Sequence, residues 1–256
     1  ESHYAYILPQ SEMAALPGST LLANPALSTT TEIGKEALVG ASYLSYQLSN
    51  KLVFGFSFNA PFGLATKADP RSWVGQTHAT TSDIKTYNGQ AVLAYRVSPS
   101  LMVAAGLMVE HIEARLKSAT GAAAAAPNGI VRGDDTGFGF TLGAIWNPSK
   151  GTSLGLGYRS AVQHTLEGTA TVSGIPIAVA GGSIKAGVTL PEIVTLSLRQ
   201  AISPSLTMLG SVEWTNWSRL DKLDVICTSG GAALICPAAG TLAQRLPLNW
   251  HDGWMF

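Results

Sequence analysis

The chain has little charge and no apolar run long enough to be a membrane helix. Of its 256 residues only 12% are Asp, Glu, Lys or Arg, 16 acidic against 16 basic, so the formal net charge is zero. A soluble domain ordinarily carries about 25% charged residues, so much of this surface is built for something other than water. Basic stripes are missing, which removes the electrostatic footprint of a nucleic-acid binder. A transmembrane helix needs roughly 20 apolar residues; the nearest candidate, the alanine tract 122–126, ends at Pro127. Low charge without a membrane helix leaves a membrane barrel or an unusually apolar soluble β protein. The start, Glu1-Ser2-His3, has neither a basic n-region nor an apolar h-region, so any signal peptide is expected to have been removed or to lie outside this stretch.

Signatures of chemistry are missing too. There is no Gly-x-Ser-x-Gly elbow, His-Glu-x-x-His pair or phosphate loop. The five histidines (His3, His78, His111, His164, His251) share no metal-ligand spacing. Neither an enzyme nor a cofactor is expected. Cysteine is scarce: Cys227 and Cys236 lie nine positions apart in a Gly/Ala/Ser-rich segment. Metal binding would need further ligands close by. A disulfide clasping a surface loop is the favoured reading, and it implies an oxidising compartment; two free thiols are the alternative.

What is present is alternation. Leu52, Phe54, Phe56 and Phe58 share one parity, and Val53, Gly55, Ser57 and Asn59 the other; Phe138, Phe140 and Leu142 alternate in the same way with Gly137, Gly139 and Thr141. A period of two sends successive side chains to opposite faces of a strand. Large apolar residues on one face and small or polar ones on the other match a membrane barrel read strand by strand. Eight full strands are expected, at 37–48, 52–66, 82–97, 101–117, 136–147, 152–172, 184–202 and 206–226, with a ninth beginning at Trp250. Short Ser, Asn, Pro and Gly turns alternate with the long connections 67–81, 118–135, 173–183 and 227–249, as periplasmic turns alternate with extracellular loops. Residues 1–36 are expected to be extracellular loop and linker, and 37–256 a partial transmembrane barrel.

Parity then sorts the residues. Arg96, Arg159, Arg199 and Glu213 all fall on the inner face, as they should if arginine at the lipid midplane costs roughly 2–4 kcal/mol. Arg159 is the first choice for binding a carboxylate with its forked guanidinium, and Arg115 and Lys117 are further candidates. Tyr95 and Trp146, beside short turns, fit an interfacial aromatic girdle. Apolar residues of the long connections (Trp73, Ile130, Val131, Leu234, Ile235) form either a greasy docking patch or ordinary loop packing. Pro61 cannot donate to a ladder and Gly63 favours a bend, so pairing should fail around Asn59, Pro61, Phe62 and Gly63.

Six segments in order carry a family likeness: Asn59-Ala60-Pro61-Phe62-Gly63-Leu64, Gly137-Phe138-Gly139-Phe140, Tyr158-Arg159-Ser160, Leu190-Pro191-Glu192, Glu213-Trp214-Thr215-Asn216-Trp217-Ser218 and Trp250-His251-Asp252-Gly253-Trp254. From about Glu36 onward the chain resembles the FadL family of outer-membrane transporters. That resemblance implies a 14-stranded barrel plugged by an N-terminal hatch in the bacterial outer membrane, with about eight strands present here. It further implies passive uptake of fatty acids or aromatic hydrocarbons and sideways release through a kinked strand, matched here by Asn59–Gly63. Asn24-Pro25-Ala26 shares the composition of the family's hatch turn but reads as loop. The expected partners are hydrophobic small molecules (detergent among them) and outer-membrane lipid, with the protein a monomer. A hydrophilic porin or structural barrel is the alternative, disfavoured because Gly, Ala, Thr and Ser dominate the inner face.

Overall fold

The computed structural model describes residues 1–18, 24–173, 181–230 and 236–256. They form one antiparallel sheet of 17 strands. In chain order these are β1 (Ser2–Ile7), β2 (Glu12–Ala14), β3 (Thr30–Gly34), β4 (Ala37–Gln47), β5 (Leu52–Asn59), β6 (Gly63–Asp69), β7 (Thr81–Ser98), β8 (Leu101–Ala119) and β9 (Asn128–Ser149). There follow β10 (Thr152–Arg159), β11 (Val162–Val172), β12 (Gly182–Leu190), β13 (Ile193–Ser203), β14 (Leu206–Thr215), β15 (Lys222–Cys227), β16 (Leu242–Pro247) and β17 (Gly253–Met255). Among the described residues no helix is long and apolar enough to cross a membrane.

Only β7, β8 and β9 run the full height of the sheet. The other strands are cut at one level, which divides the sheet into two tiers. The lower tier pairs β1–β4–β5–β7–β8–β9–β10–β13–β14–β17. The upper tier pairs β2–β3–β6 onto β7, and β9–β11–β12–β15–β16 on the other side. Four expected strands are therefore each two. The segment 52–66 breaks at 60–62, 152–172 at 160–161, 184–202 at 191–192, and 206–226 at 216–221.

The first two breaks each insert one residue. Asn59 pairs with Asn88 and Gly63 with Lys85, so four steps along the broken strand span three along β7. Likewise Arg159 pairs with Thr141 and Glu167 with Asp134, eight steps against seven. A one-residue slip exchanges the two faces of a strand. Even-numbered Phe56 and Phe58 face outward below the break, whereas even-numbered Leu64 lines the interior above it. Leu156 points outward, but Val162, His164 and Leu166 are buried inside.

Three further expectations change. Residues 1–36 are not only loop and linker: β1 lies along β4, with Ser2 opposite Ser42 and Ile7 opposite Ala37, and β3 pairs with β6. Tyr4, Tyr6 and Ile7 are β-formers that need a sheet edge. The connection expected at 118–135 is shorter, since β8 runs to Ala119 and β9 starts at Asn128, and 227–249 contains β16. The ninth strand is short, Gly253–Met255.

The outer face of the lower tier is an apolar band. Leu107 and Phe138 are about three-quarters exposed, and Leu93, Leu142, Leu156 and Leu196 about half. Tyr95 and Trp146, beside the turns at its lower edge, are equally open. The buried core sits in the upper tier instead. Ile112, Leu166 and Leu190 form one cluster, Ala170, Ile184, Ala186, Val225 and the two cysteines a second. Trp73 packs with Leu27, Ala68 and Val74 in a third. Of the residues considered for a greasy docking patch, Trp73 is thus buried, Ile130 and Val131 belong to β9, and Leu234 and Ile235 lie outside the described residues.

Candidate functional site

The register slips build an apolar chamber. In the upper tier Ile84, Ile112, Leu116, Val131, Leu166, Ile184, Leu190 and Val225 converge on a cavity of about 120 Å³. None of its lining side chains is charged. Aromatic rings from three breaks meet at its edge: Phe62 lies edge-on to Trp217 with centroids 5.5 Å apart, and Trp217 is 5.0 Å from Trp250. Phe62 is held by Thr86. The Phe62 backbone N–H donates to Thr86 Oγ1 at 2.9 Å, and that hydroxyl donates to the Phe62 carbonyl at 2.7 Å. A threonine side chain thus stands in where Pro61 interrupts the ladder.

One rung below lies a polar throat. Glu110 is fully buried and accepts a hydrogen bond from Arg159 at 2.5 Å. The Arg159 guanidinium sits 5.9 Å from the centroid of the Phe62 ring, within reach of a cation–π attraction. His164 Nδ1 lies 3.0 Å from Asp135 Oδ2, which also accepts the Thr165 backbone N–H. The other ring nitrogen of His164 is 3.6 Å from Glu110 Oε1. Arg159 Nε, Glu110 Oε1 and His164 Nε2 are buried with no hydrogen-bond partner among the described residues. Such a row has spare capacity for a polar group. Space for it comes from Gly137, where a Cβ would come within 2.9 Å of the His164 ring and 2.8 Å of the Gln163 carbonyl.

A second network closes the wall. The β12–β15 ladder holds only at Ile184, Lys185 and Ala186, so Gly187–Leu190 have no partners on that side. The short 3-10 turn Trp217–Arg219 fills the gap. Glu192 fastens it, accepting hydrogen bonds from Arg219 Nε, from Arg219 Nη2 at 2.8 Å and from Asn216 Nδ2 at 2.8 Å. Asp252 receives the Trp214 indole N–H and the Ser218 backbone N–H, each at 3.1 Å.

The structure spreads the charged residues expected on the inner face over different levels. Arg159 and Glu213 share an inner groove of about 370 Å³ in the lower tier, where Glu213 accepts a hydrogen bond from Thr195 Oγ1 at 3.0 Å. Arg199 lies further down among Ser153, Ser197 and Ser211, and Arg96 is exposed beside a short turn. Arg115 and Lys117 alternate with the chamber residues Ile112, Ala114 and Leu116, which turns them to the outer wall. Of the kinked segment, Asn59 ends β5 with its Oδ1 buried and without a partner among the described residues, Pro61 and Phe62 span the break, and Gly63 opens β6 at the chamber. Cys227 and Cys236 are joined by a disulfide, Cα atoms 5.5 Å apart. Glu110, Asp135 and Glu192 were missed. The available signal for Glu110 was its parity, shared with Met108 and Ile112 on the inner face of β8.

An apolar outer band, small residues on the inner face of the lower tier and antiparallel hairpins define a transmembrane β-barrel. Residues 5–256 match the family described as outer membrane protein transport protein (OMPP1/FadL/TodX), and the chain belongs to that family. It is 24% identical over 255 residues to the long-chain fatty acid transport protein of Escherichia coli K12, covering 82% of this chain and 57% of that one. Outer membrane protein P1 of Haemophilus influenzae is 23% identical over 263 residues, covering 91% and 56%. The chain thus spans a little over half the length of these relatives. Among solved structures, a Pseudomonas aeruginosa FadL homologue superposes with a TM-score of 0.76 at 18% identity, over 99% of this chain and 64% of that one. The Ralstonia pickettii toluene transporter TbuX gives 0.69, also at 18% identity, over 98% and 70%. These structural likenesses establish the fold.

Proposed function

We propose that the complete protein takes up hydrophobic compounds across the outer membrane by diffusion, without covalent chemistry, cofactor or energy input. The observation that carries this is the uncharged chamber standing directly above the Arg159–Glu110 throat. An apolar body is favoured in the chamber by roughly 25 cal/mol for each Å² removed from water, and Arg159 offers a carboxylate head a forked donor. Family relatives named for fatty-acid and for toluene transport support both cargo classes. We assign the break at Asn59–Gly63 as the lateral gate: the ladder is interrupted at Pro61, Thr86 alone holds Phe62 through its hydroxyl and its backbone N–H, and Phe62 and Gly63 both line the chamber. Arg199 and Glu213 line the inner path below, and Arg96 lies at its lower end.

The test is uptake by outer-membrane vesicles holding the full-length protein, with radiolabelled oleate, toluene and a small sugar compared. Either hydrophobic compound should pass and the sugar should not. Gly63→Trp, whose backbone needs no left-handed conformation and whose nearest obstacle is the Ile84 carbonyl 3.6 Å from the new Cβ, should fold. It should lower hydrophobic uptake about tenfold, equivalent to a barrier about 1.4 kcal/mol higher. Sugar passage with neither hydrophobic compound would favour a hydrophilic porin instead.

A further inference from the structure

The outer wall above the apolar band carries a charge arrangement that transport does not use. Arg115 on β8 stands directly opposite Arg132 on β9, both outward-facing. Like charges directly opposite each other on one face of a sheet are destabilising. Neither arginine makes an ion pair or side-chain hydrogen bond among the described residues, and Arg115 Nε is buried without a partner. Lys117 lies one rung above on the same face. Its ammonium is held below the ordinary lysine range by burial and by Arg115, Arg132, Arg71 and Lys67. The neighbouring carboxylates do not neutralise the group. Asp83 on β7 stands opposite Arg115, but its carboxylate pairs with Lys35 at 2.5 Å and Lys85 at 3.5 Å and makes no ion pair with Arg115. Glu113 and Asp134 face each other one rung nearer the membrane, with Glu113 3.7 Å from His111. Arg115 and Arg132 line an open groove of about 710 Å³. Its unmatched positive side points away from the bilayer, toward Lys117 and Lys67.

We propose that this groove is a binding site for a phosphate group on the sugar head of an outer-leaflet glycolipid, clasped between Arg115 and Arg132 with Lys117 closing the upper side. Guanidinium forks match phosphate oxygens two at a time, and a dianionic group between the two arginines converts their repulsion into attraction. Height selects the source. From Val109, in the outward apolar band, to Arg115 is six residues along β8, a height of about 14–16 Å at 3.3 Å per residue with the usual barrel tilt. That is above the acyl chains and level with sugar head groups, which are the neighbours a laterally facing wall meets. Acidic Glu113 and Asp134, on the membrane side, repel a phosphate placed lower and so fix its level. Binding here is independent of which cargo the lumen carries.

The experiment measures glycolipid binding to the complete protein in phosphatidylcholine nanodiscs. The probes are phosphorylated lipopolysaccharide, the same lipid enzymatically dephosphorylated, and inorganic phosphate. Wild-type protein should bind the phosphorylated lipid, and R115Q/R132Q about thirtyfold more weakly, at about one kcal/mol-equivalent for each basic residue lost. Dephosphorylation of the lipid should produce a comparable loss. K51Q/K150Q, which removes two cations at the opposite end of the barrel, should bind as wild type. In phosphate-free buffer R115Q/R132Q should melt no lower than wild type, because it relieves a like-charge pair; this separates lost binding from lost folding. Equal binding of the two lipids, or by wild type and R115Q/R132Q, overturns the site. Saturation by millimolar inorganic phosphate with no preference for the lipid overturns the glycolipid assignment.

Discussion

Arg159→Leu should destabilise the barrel by about 3–5 kcal/mol, because it strands the buried Glu110 carboxylate without its cation. Glu110 is fully buried and Arg159 is the cation bonded to it. Glu110→Leu, which strands the arginine instead, should cost less, since Arg159 also faces the inner groove of the lower tier. The informative variant is the double replacement E110L/R159L. Removing both charges together from an apolar surround is often neutral, so the double variant should recover most of the loss. Urea unfolding from lipid vesicles reads all three. A double variant as unstable as R159L would show that the two residues do not act as a pair. Uptake separates the roles: the double variant should take up less oleate relative to toluene than wild type does, because the forked donor is gone while the chamber above keeps its shape.

Gly168→Val should prevent assembly, with a destabilisation above about 4 kcal/mol. Gly168 on β11 stands opposite Gly133 on β9, and a Cβ there would overlap the Arg132 carbonyl group and the Gly133 backbone. Backbone on the facing strand cannot rotate aside as a side chain can, so the two strands would have to part. Gly187→Val is the control, since a Cβ at that position meets nothing within 4 Å. Electrophoresis without boiling, in which folded barrels migrate apart from unfolded chain, distinguishes the two. If G168V folds like G187V, the close approach of β9 and β11 is not required. The approach matters for the site because Asp135, two residues beyond Gly133, reaches across to His164 on β11.

The hairpins of the lower tier were legible because lipid imposes one rule on every strand there: large apolar side chains outside. Leu52–Asn59, Thr152–Arg159 and Leu206–Thr215 follow it. Above the band the outer wall meets water, and the rule fails. Arg132 and Asp134 point outward from β9 while Val131 and Gly133 point inward, a pattern that reads as loop to an eye looking for apolar residues outside. The breaks were half visible. Proline marked 60–62 and 191–192, but nothing in Ser160-Ala161 announces a break there. The slips were hidden for a different reason: each side of a break alternates correctly by itself, and only the partner strand reveals that the count has shifted. Arg159 was found because a lone arginine on a small-residue face is conspicuous. Glu110 was passed over because it lies in a long strand that continues unbroken past it. Its burial depends on Arg159 and His164, which arrive from β10 and β11.

The one-residue insertion between Asn59 and Gly63 is slack written into the chain. Take out any one residue of 60–62 and three steps would face three along β7, so β5 could run on into β6 as one unbroken strand. No side chain of β6 would change sides, and Leu64 would still stand opposite Ile84 at the chamber. What would vanish is the opening in the wall. One surplus residue is what keeps that seam from zipping shut, so length at this junction matters more than residue identity.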